Sequence, residues 1–439
     1  MSDVRSPLST RPMRERAAII NRNLRRRLDT VLPLAMRETG FDMWIVLCQE
    51  DNPDPVFTTM IPMDTWCPIL QLLVFCDRGA AGFVVSAQPN GVERINISGV
   101  NTHDLYDRPY RGQLEREQWP LLRQIVEERD PKRIGINIGA TQWAAGGLTH
   151  NLYQQLVAHL PDRYVARLQS AEPLATRWLA TLTDDEIATF EEVARLGRDI
   201  IAECYTPAAI TPGVTTTTDL EWFYWQRCAD LGLDIAFKPF FNTVRRDAVK
   251  AQFGADDLVI RPGDLIHCDV GIRYLRLNSD HQEWAYVLAD GETDAPAGLQ
   301  ALMAEGNRLQ DVFMAEFQRG RTGNQLLRSI LARAQRAGIP NPRIYSHSLG
   351  LYLHEPGPLI GLPWEQENNA GRGDVVLEYG NAFTMELSVS GPVAEWGGQE
   401  VRLSMEEDVV YTPAGCRVVD GRQTGFYLLN GSLGRTAFG

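Results

Sequence analysis

Acidic residues set inside apolar, strand-like runs are the most informative feature of this 439-residue chain. Asp269 lies in GDLIHCDVG and Asp280 opens DHQEWAYVL, while Glu386 interrupts AFTMELSVS and Glu406 sits in VRLSMEEDVVYT. A carboxylate taken out of water without a partner is very costly, so each of these positions demands one. Singly, each acid reads more readily as solvated or salt-bridged; the four together form a pattern. The segment SHSLGLYLHEPGP (346–358) adds His347 and His354. Residues an odd number apart on a flat strand face opposite sides, so convergence of this pair needs a bend, which Gly350 and Pro356 can supply. Two unrelated loop or core histidines are the other reading. Four carboxylates and one imidazole would be balanced by two divalent cations. Hard oxygen ligands with a single nitrogen suit manganese, cobalt, iron or zinc, and bridging carboxylates can hold two such ions about 3.5–4 Å apart.

The elements that must position these residues follow from the pattern around them. A turn between Asp269 and Asp280 would place them on adjacent strands of one hairpin. Thr183 and Glu186 form a capping box that opens a long helix in TDDEIATFEEVARLGRDIIAECY. Beyond it come a Pro-Gly turn at 212–213, a helix around 218–231, strands around 265–272 and 277–288, two helices filling 297–336, and strands to the C-terminus. The second half therefore reads as α+β with an antiparallel sheet. Ahead of it, a helix over 12–40 precedes strand-like runs at 43–48, 69–76 and 81–87, with a tight turn at 77–80. QWPLLRQIVEER, RIGINIG, LTHNLYQQLVAHL and YVARLQSA then alternate helical and strand patterns, the rhythm of an α/β domain. Two domains are expected, 1–172 and 173–439.

Composition narrows the function classes. The net charge of −13 argues against nucleic acid as a main partner. Arg22 and Arg25 to Arg27 form the densest basic cluster, read as the solvated face of a helix. No apolar run is long enough to cross a membrane, and the polar, basic N-terminus lacks the core of a secretory signal, so a cytoplasmic protein is expected. Seven scattered cysteines without a Cys-x-x-Cys pair point to reduced, mainly buried thiols.

The order Asp269, Asp280, His347, Glu386, Glu406, together with HSLGLYLHEPGP, resembles the metallopeptidase family of methionine aminopeptidase, aminopeptidase P, prolidase and creatinase. The α/β first domain is similar to that of the aminopeptidase P, prolidase and creatinase branch. The resemblance implies a pita-bread C-terminal domain around a two-metal site, and a homodimer. It implies Asp269 and Glu406 as bridging carboxylates, Asp280 on one metal, and His347 and Glu386 on the other. His354 would face the substrate. The activity implied is that of an Xaa-Pro aminopeptidase or prolidase, a metal-bound hydroxide attacking an amide carbonyl polarised by His354 while Glu386 shuttles the proton. A short peptide or small molecule is the expected substrate.

The chain also departs from that family. Gln252 stands where the peptidases carry an upstream histidine, and His267 is too close to Asp269 to replace it. Glutamine can donate a hydrogen bond but cannot carry the imidazolium charge. Gln252→His is therefore expected to raise Xaa-Pro cleavage. His281-Gln282 follows Asp280 where a hydrophobic residue and threonine are common, Leu387 replaces a common proline, and Arg402, a candidate substrate-binding residue, lies four rather than two residues before Glu406. His281 and Arg245-Arg246 are candidate replacements for the missing charge. Trp66 is a candidate for closing a substrate cleft, against an ordinary packed tryptophan. These departures keep open a second activity on the same fold and metals, hydrolysis of a non-peptide C–N bond or a lyase reaction on a small zwitterion.

Overall fold

The computed structural model describes residues 8–67, 69–79, 91–107, 114–354 and 356–430. The chain forms two compact units, one holding Arg11–Glu186 and the other Ile187–His354 and the chain from Pro358.

The first unit is built on a five-stranded sheet in the order Val92–Asn96, Leu70–Asp77, Met43–Gln49, Ile134–Ile136, Leu168–Ser170. The first three strands pair antiparallel and the last two join in parallel, each across a helical crossover. The strand expected at 81–87 lies outside the described residues. Helix Met13–Thr39 buries Leu24, Leu28, Val31, Leu32, Ala35 and Met36, the spacing of one helical face, and ends where Gly40 takes a left-handed conformation.

The unit runs to Glu186, past the break at 172 that the sequence pattern suggested, because helix Glu172–Ala180 packs on the first helix. The contact is specific. Arg27 is buried, stacks over Trp178 at 4.4 Å, and donates to Glu186 Oε2 at 2.9 Å and to the Thr181 carbonyl at 2.6 Å. It is not part of a solvated face. Glu186 also closes the capping box, accepting from the Thr183 N–H at 2.9 Å while its own N–H reaches Thr183 Oγ1 at 3.3 Å. All seven cysteines are free thiols, five of them buried.

In the second unit, a four-stranded sheet has the order Tyr427–Leu429, His281–Val287, Leu265–Val270, Phe240–Val244. A second sheet joins Arg343–Tyr345, Glu386–Val393 and Gln399–Met405, and a third joins Ala382–Thr384, Asp408–Thr412 and Gly415–Val418. The core lies between helices Ala297–Ala315 and Gly323–Arg336 and the apolar faces of these sheets, where Leu387, Val389, Leu403 and Met405 point inward. Alternation then leaves Arg343, Tyr345, Glu386, Ser388, Arg402 and Ser404 on the other face of the second sheet.

Candidate metal centre

The hairpin of Leu265–Val270 and His281–Val287 pairs Gln282 with Asp269 and Trp284 with His267. Because side chains alternate, His267 and Asp269 share a face with Gln282 and, one step before the strand, Asp280. The chain returns between the two aspartates through a small hairpin, Ile272–Tyr274 paired with Leu277–Asn278 and turning at Leu275 and Arg276, at whose base a Cβ on Gly271 would stand 2.2 Å from the Ser279 carbonyl oxygen. No other residue fits so close an approach. Glu406 joins by a two-way backbone bridge with Gln282, the two N–H···O distances being 3.2 and 3.3 Å. Glu386 enters opposite Tyr345 in the second sheet, two residues along the chain from His347.

Asp280, His347 and Glu406 converge, each offering a ligand atom within 4.8 Å of the others. His347 Nδ1–H donates to the Ser348 carbonyl at 3.2 Å, which leaves the Nε2 lone pair facing Asp280 Oδ2 at 3.7 Å. The structure thus places Asp280 with His347, whereas the resemblance put them on different ions. Asp269 and Glu386 lie outside this tight group. His354 stacks beside His347 with ring centroids 4.4 Å apart, so the two histidines do converge, and His354 sits at the exposed edge.

The electrostatics suit either protons or a cation. Burial raises Asp269 to about 6 and Glu386 to about 8. Burial, then the charges of the neighbouring acids, raises Asp280 and Glu406 well above the carboxylate range. Among the described residues no lysine or arginine pairs with any of the four. Asp280 Oδ1 and Glu406 Oε1 are buried without a hydrogen-bond partner. A hard-oxygen set with one imidazole nitrogen and two orphaned carboxylate oxygens fits a divalent metal ion.

A second buried acidic layer lies on the far face of the hairpin and is neutralised differently. Arg198 donates to Glu283 Oε1 at 2.8 Å and reaches Glu407 at 3.9 Å, both acids being fully buried. Asp408 accepts from the Asp280 N–H at 3.2 Å and faces His281 at 3.7 Å. His281 is 1% exposed and burial depresses it to about 3, so it is a neutral core residue and not a spare cation. Arg245 is committed to Asp257 and Asp264, each at 2.8 Å, and Arg246 to Glu292 at 3.0 Å. Gln252 is exposed on helix Asp247–Phe253, which buries no residue, and its side chain makes no hydrogen bond among the described residues. Trp66 is 63% exposed on the wall of a separate cavity of about 420 Å³ in the first unit, not packed into a core.

Beside the acids, a cavity of about 370 Å³ is lined by Arg343, Tyr345, Glu386, Ser388, Arg402 and Ser404. Arg402 donates to Ser388 Oγ at 3.2 Å and Arg343 to the Pro363 carbonyl at 2.5 Å. Sequence reasoning missed Arg343, Gln282 and His267 as site residues. A polar residue recurring every second position in LIHCD and DHQEW was the available signal; Arg343 gave none.

Residues 188–413 match metallopeptidase family M24, a span that contains the four acids Asp269, Asp280, Glu386 and Glu406 and His347. The chain belongs to metallopeptidase family M24. This M24 protein is a metallohydrolase with the pita-bread fold behind an amino-terminal domain. No curated protein matches the chain. Among solved structures, it is similar to an X-Pro aminopeptidase from Thermotoga maritima at 16% identity and a TM-score of 0.62, covering 90% of this chain and 100% of that one. An Xaa-Pro dipeptidase from Bacillus anthracis is similar at 17% identity and a TM-score of 0.58, over 93% and 100% of the two chains. The same fold appears in the N-terminal domain of the FACT complex subunit SPT16 from chickpea, at 10% identity and a TM-score of 0.58 over 93% and 99%. Fold likeness alone therefore leaves the chemistry to the site's own residues.

Proposed function

We propose that this M24 protein is a divalent-metal-dependent hydrolase that cleaves an amide bond in a small substrate bearing a free carboxylate, of the Xaa-Pro dipeptide kind. The observation that carries this reading is the pair Arg343 and Arg402, which line the cavity beside Glu386 and have no ion-pair partner among the described residues. In a chain of net charge −13, two uncommitted guanidinium groups on one cavity wall suit an anionic ligand group. The cavity, at about 370 Å³, has the size of a small-ligand site.

In this reading Asp269, Asp280, His347, Glu386 and Glu406 hold up to two divalent ions, manganese or another that accepts hard oxygens and one nitrogen. Bound ions supply Lewis acidity and an acidified water. Asp280 and Glu406 stand with His347 at the centre of this set, their ligand atoms within 4.8 Å of one another. Glu386, at the edge of the cavity, takes a proton from the attacking water and passes it to the leaving nitrogen. His354, stacked beside His347 at the exposed edge, donates a ring N–H to the carbonyl oxygen. Arg343 and Arg402 orient the carboxylate. The amino-terminal unit is an accessory domain, and the protein works as a homodimer, as the resemblance implies, in the cytoplasm, as its polar N-terminus suggests.

The test is an assay of the metal-loaded protein against Xaa-Pro dipeptides, their C-terminal amides, and a panel of small amides and zwitterions. Free dipeptides are expected to be cleaved and their amides poorly. Arg402→Ala is expected to lower kcat/KM for the free carboxylate by about 10–100-fold, the value of a charge-assisted hydrogen bond, mostly through KM. Equal cleavage of dipeptide and amide would remove the carboxylate subsite. The second reading, a non-peptide zwitterion as substrate, is favoured by Gln252 and by its distance from any hydrogen-bonded role at the site; turnover confined to the zwitterion panel would select it.

A further inference from the structure

Away from the acid cluster, two thiols of the first unit touch. Cys48 stands in strand Met43–Gln49, opposite Gln71 of the neighbouring strand, and Cys67 lies four residues before Gln71, outside any helix or strand. Their sulfurs are 3.5 Å apart although 19 positions separate them in the chain. The two surroundings differ. Cys48 is 1% exposed, whereas Cys67 is only partly buried. A thiolate is costly in a dry interior, so the proton stays on Cys48, whose S–H donates to the Cys67 sulfur. That hydrogen bond holds the Cys67 thiol below its ordinary value and, with burial, pushes Cys48 well up. Burial raises the other thiols too, Cys76 and Cys228 to about 12. Cys67 is thus the readiest nucleophile among the seven.

We propose that Cys48 and Cys67 are a reversible redox pair, closed to a disulfide by hydrogen peroxide and reopened by a dithiol, and that the bond fixes the cavity wall that carries Trp66. The sulfurs must close from 3.5 Å to about 2.05 Å, within reach of side-chain rotation because Cys67 is held in no strand ladder. The Cys67 thiolate attacks one peroxide oxygen; an S–O bond forms, the O–O bond breaks, and the departing hydroxide takes a proton from solvent to become water. The product is a sulfenic acid. The Cys48 sulfur then attacks the sulfenic sulfur, the S–S bond forms, and the S–O bond breaks as hydroxide leaves with the Cys48 proton, as water. Two electrons pass from the thiols to peroxide. Reopening returns two electrons from a dithiol, which itself closes to a disulfide. Asp64, Thr65 and Trp66 line the cavity of about 420 Å³, and Cys67 follows directly, so the bond ties this segment to the sheet at Cys48. In a reducing compartment the pair rests as thiols, and oxidant closes it.

The experiment treats reduced, full-length protein with a small excess of hydrogen peroxide, blocks the remaining thiols with N-ethylmaleimide and maps the peptides without reduction. One cross-linked pair is expected, joining the segments around Cys48 and Cys67 and lighter by two hydrogens, with two of the seven thiols lost and both restored by dithiothreitol. Amide exchange across residues 61–67 is expected to slow by about 10-fold on oxidation, because the cross-link removes open states of the segment. Cys48→Ser should stop the reaction at a sulfenic acid on Cys67, trapped by dimedone, and Cys67→Ser should abolish both the cross-link and the slowing. Folding of each variant is checked by circular dichroism; the wild-type peptide map and exchange need no variant, so the test survives one that fails to fold. Oxidation confined to other cysteines, Cys67 oxidised without bonding to Cys48, a bond between two chains, or a cross-link that leaves exchange across 61–67 unchanged overturns the proposal.

Discussion

Asp280→Asn is expected to empty the metal position it forms with His347 and Glu406 and to lower turnover by about 10³-fold or more, the scale of losing a Lewis acid worth several kcal/mol to the transition state. Asparagine keeps the shape of the side chain and the backbone N–H bond to Asp408, but gives up the charge and one oxygen. The metal-free variant should be no less stable than the metal-free wild type. Asp280 is fully buried with an orphaned Oδ1 and three acidic neighbours, so without metal its charge is a burden. Elemental analysis, kcat and melting temperature with and without manganese check the three parts together. Full metal content and full activity in the variant would remove Asp280 from the centre, and a large drop in metal-free stability would show a structural role instead.

The second large effect is a pH-dependent stabilisation by metal. Asp269 rises from 3.8 to about 6 on folding and Glu386 from 4.5 to about 8, in both cases chiefly through burial. A carboxyl whose folded pKa is raised contributes stability that is complete below its unfolded value and is lost as pH climbs through the folded value. The metal-free protein should therefore lose stability from about pH 4 up to about pH 8 on this account. His347, lowered from 6.5 to about 3 by burial and by His354, works oppositely, its contribution being present above pH 6.5 and lost as pH falls below it. The two effects overlap below pH 6.5, so the clean window is pH 6.5 to 8, where only the acids act. Bound metal takes the place of those protons. At a fixed concentration equal to 100 times its dissociation constant at pH 6.5, metal should add about 2.7 kcal/mol there, or about 5–10 °C in Tm, and the increment should grow towards pH 8 as the dissociation constant falls. Scanning calorimetry at several pH values with and without manganese measures it; an increment that shrinks with rising pH contradicts the proton-for-metal exchange.

How much of this was legible in the sequence depended on whether a residue's role was local. The capping box at Thr183 and Glu186, the strand starting at Met43 and the helices over 297–336 were visible because periodicity and cap chemistry act within one turn or one strand. The four acids were legible because a charge in an apolar strand breaks the expected alternation. Arg27 was misread, since nothing near it in sequence signals Trp178 or Glu186, more than 150 residues away. The same holds for His281, whose burial comes from Asp408 and from the helix that carries Arg198. Gln252 shows the reverse limit: counting along the chain gave it a site position, but the helix it stands on keeps it exposed. Gln282 looked like a substitution in a motif. Only the cross-strand register with Asp269 and the bridge to Glu406 make it a member of the cluster.

The return between the two strands is a small hairpin, Ile272–Tyr274 with Leu277–Asn278, closed at its base by the close approach of Gly271 to the Ser279 carbonyl. Along the second strand, Asp280 and Gln282 point to the acid cluster while His281 and Glu283 point to the layer around Arg198 and Asp408. One residue gained or lost in the return would exchange the two faces wholesale, because a strand's side chains repeat every second position. His281 and Glu283 would then confront Asp269, and Asp280 and Gln282 would confront Arg198. Both faces carry groups able to meet a cation, one answered by a metal ion and the other by a guanidinium. The strand is in effect a two-sided key whose correct side is chosen by the count of residues in a single return, so descent of this site should preserve that count even where it lets side chains change.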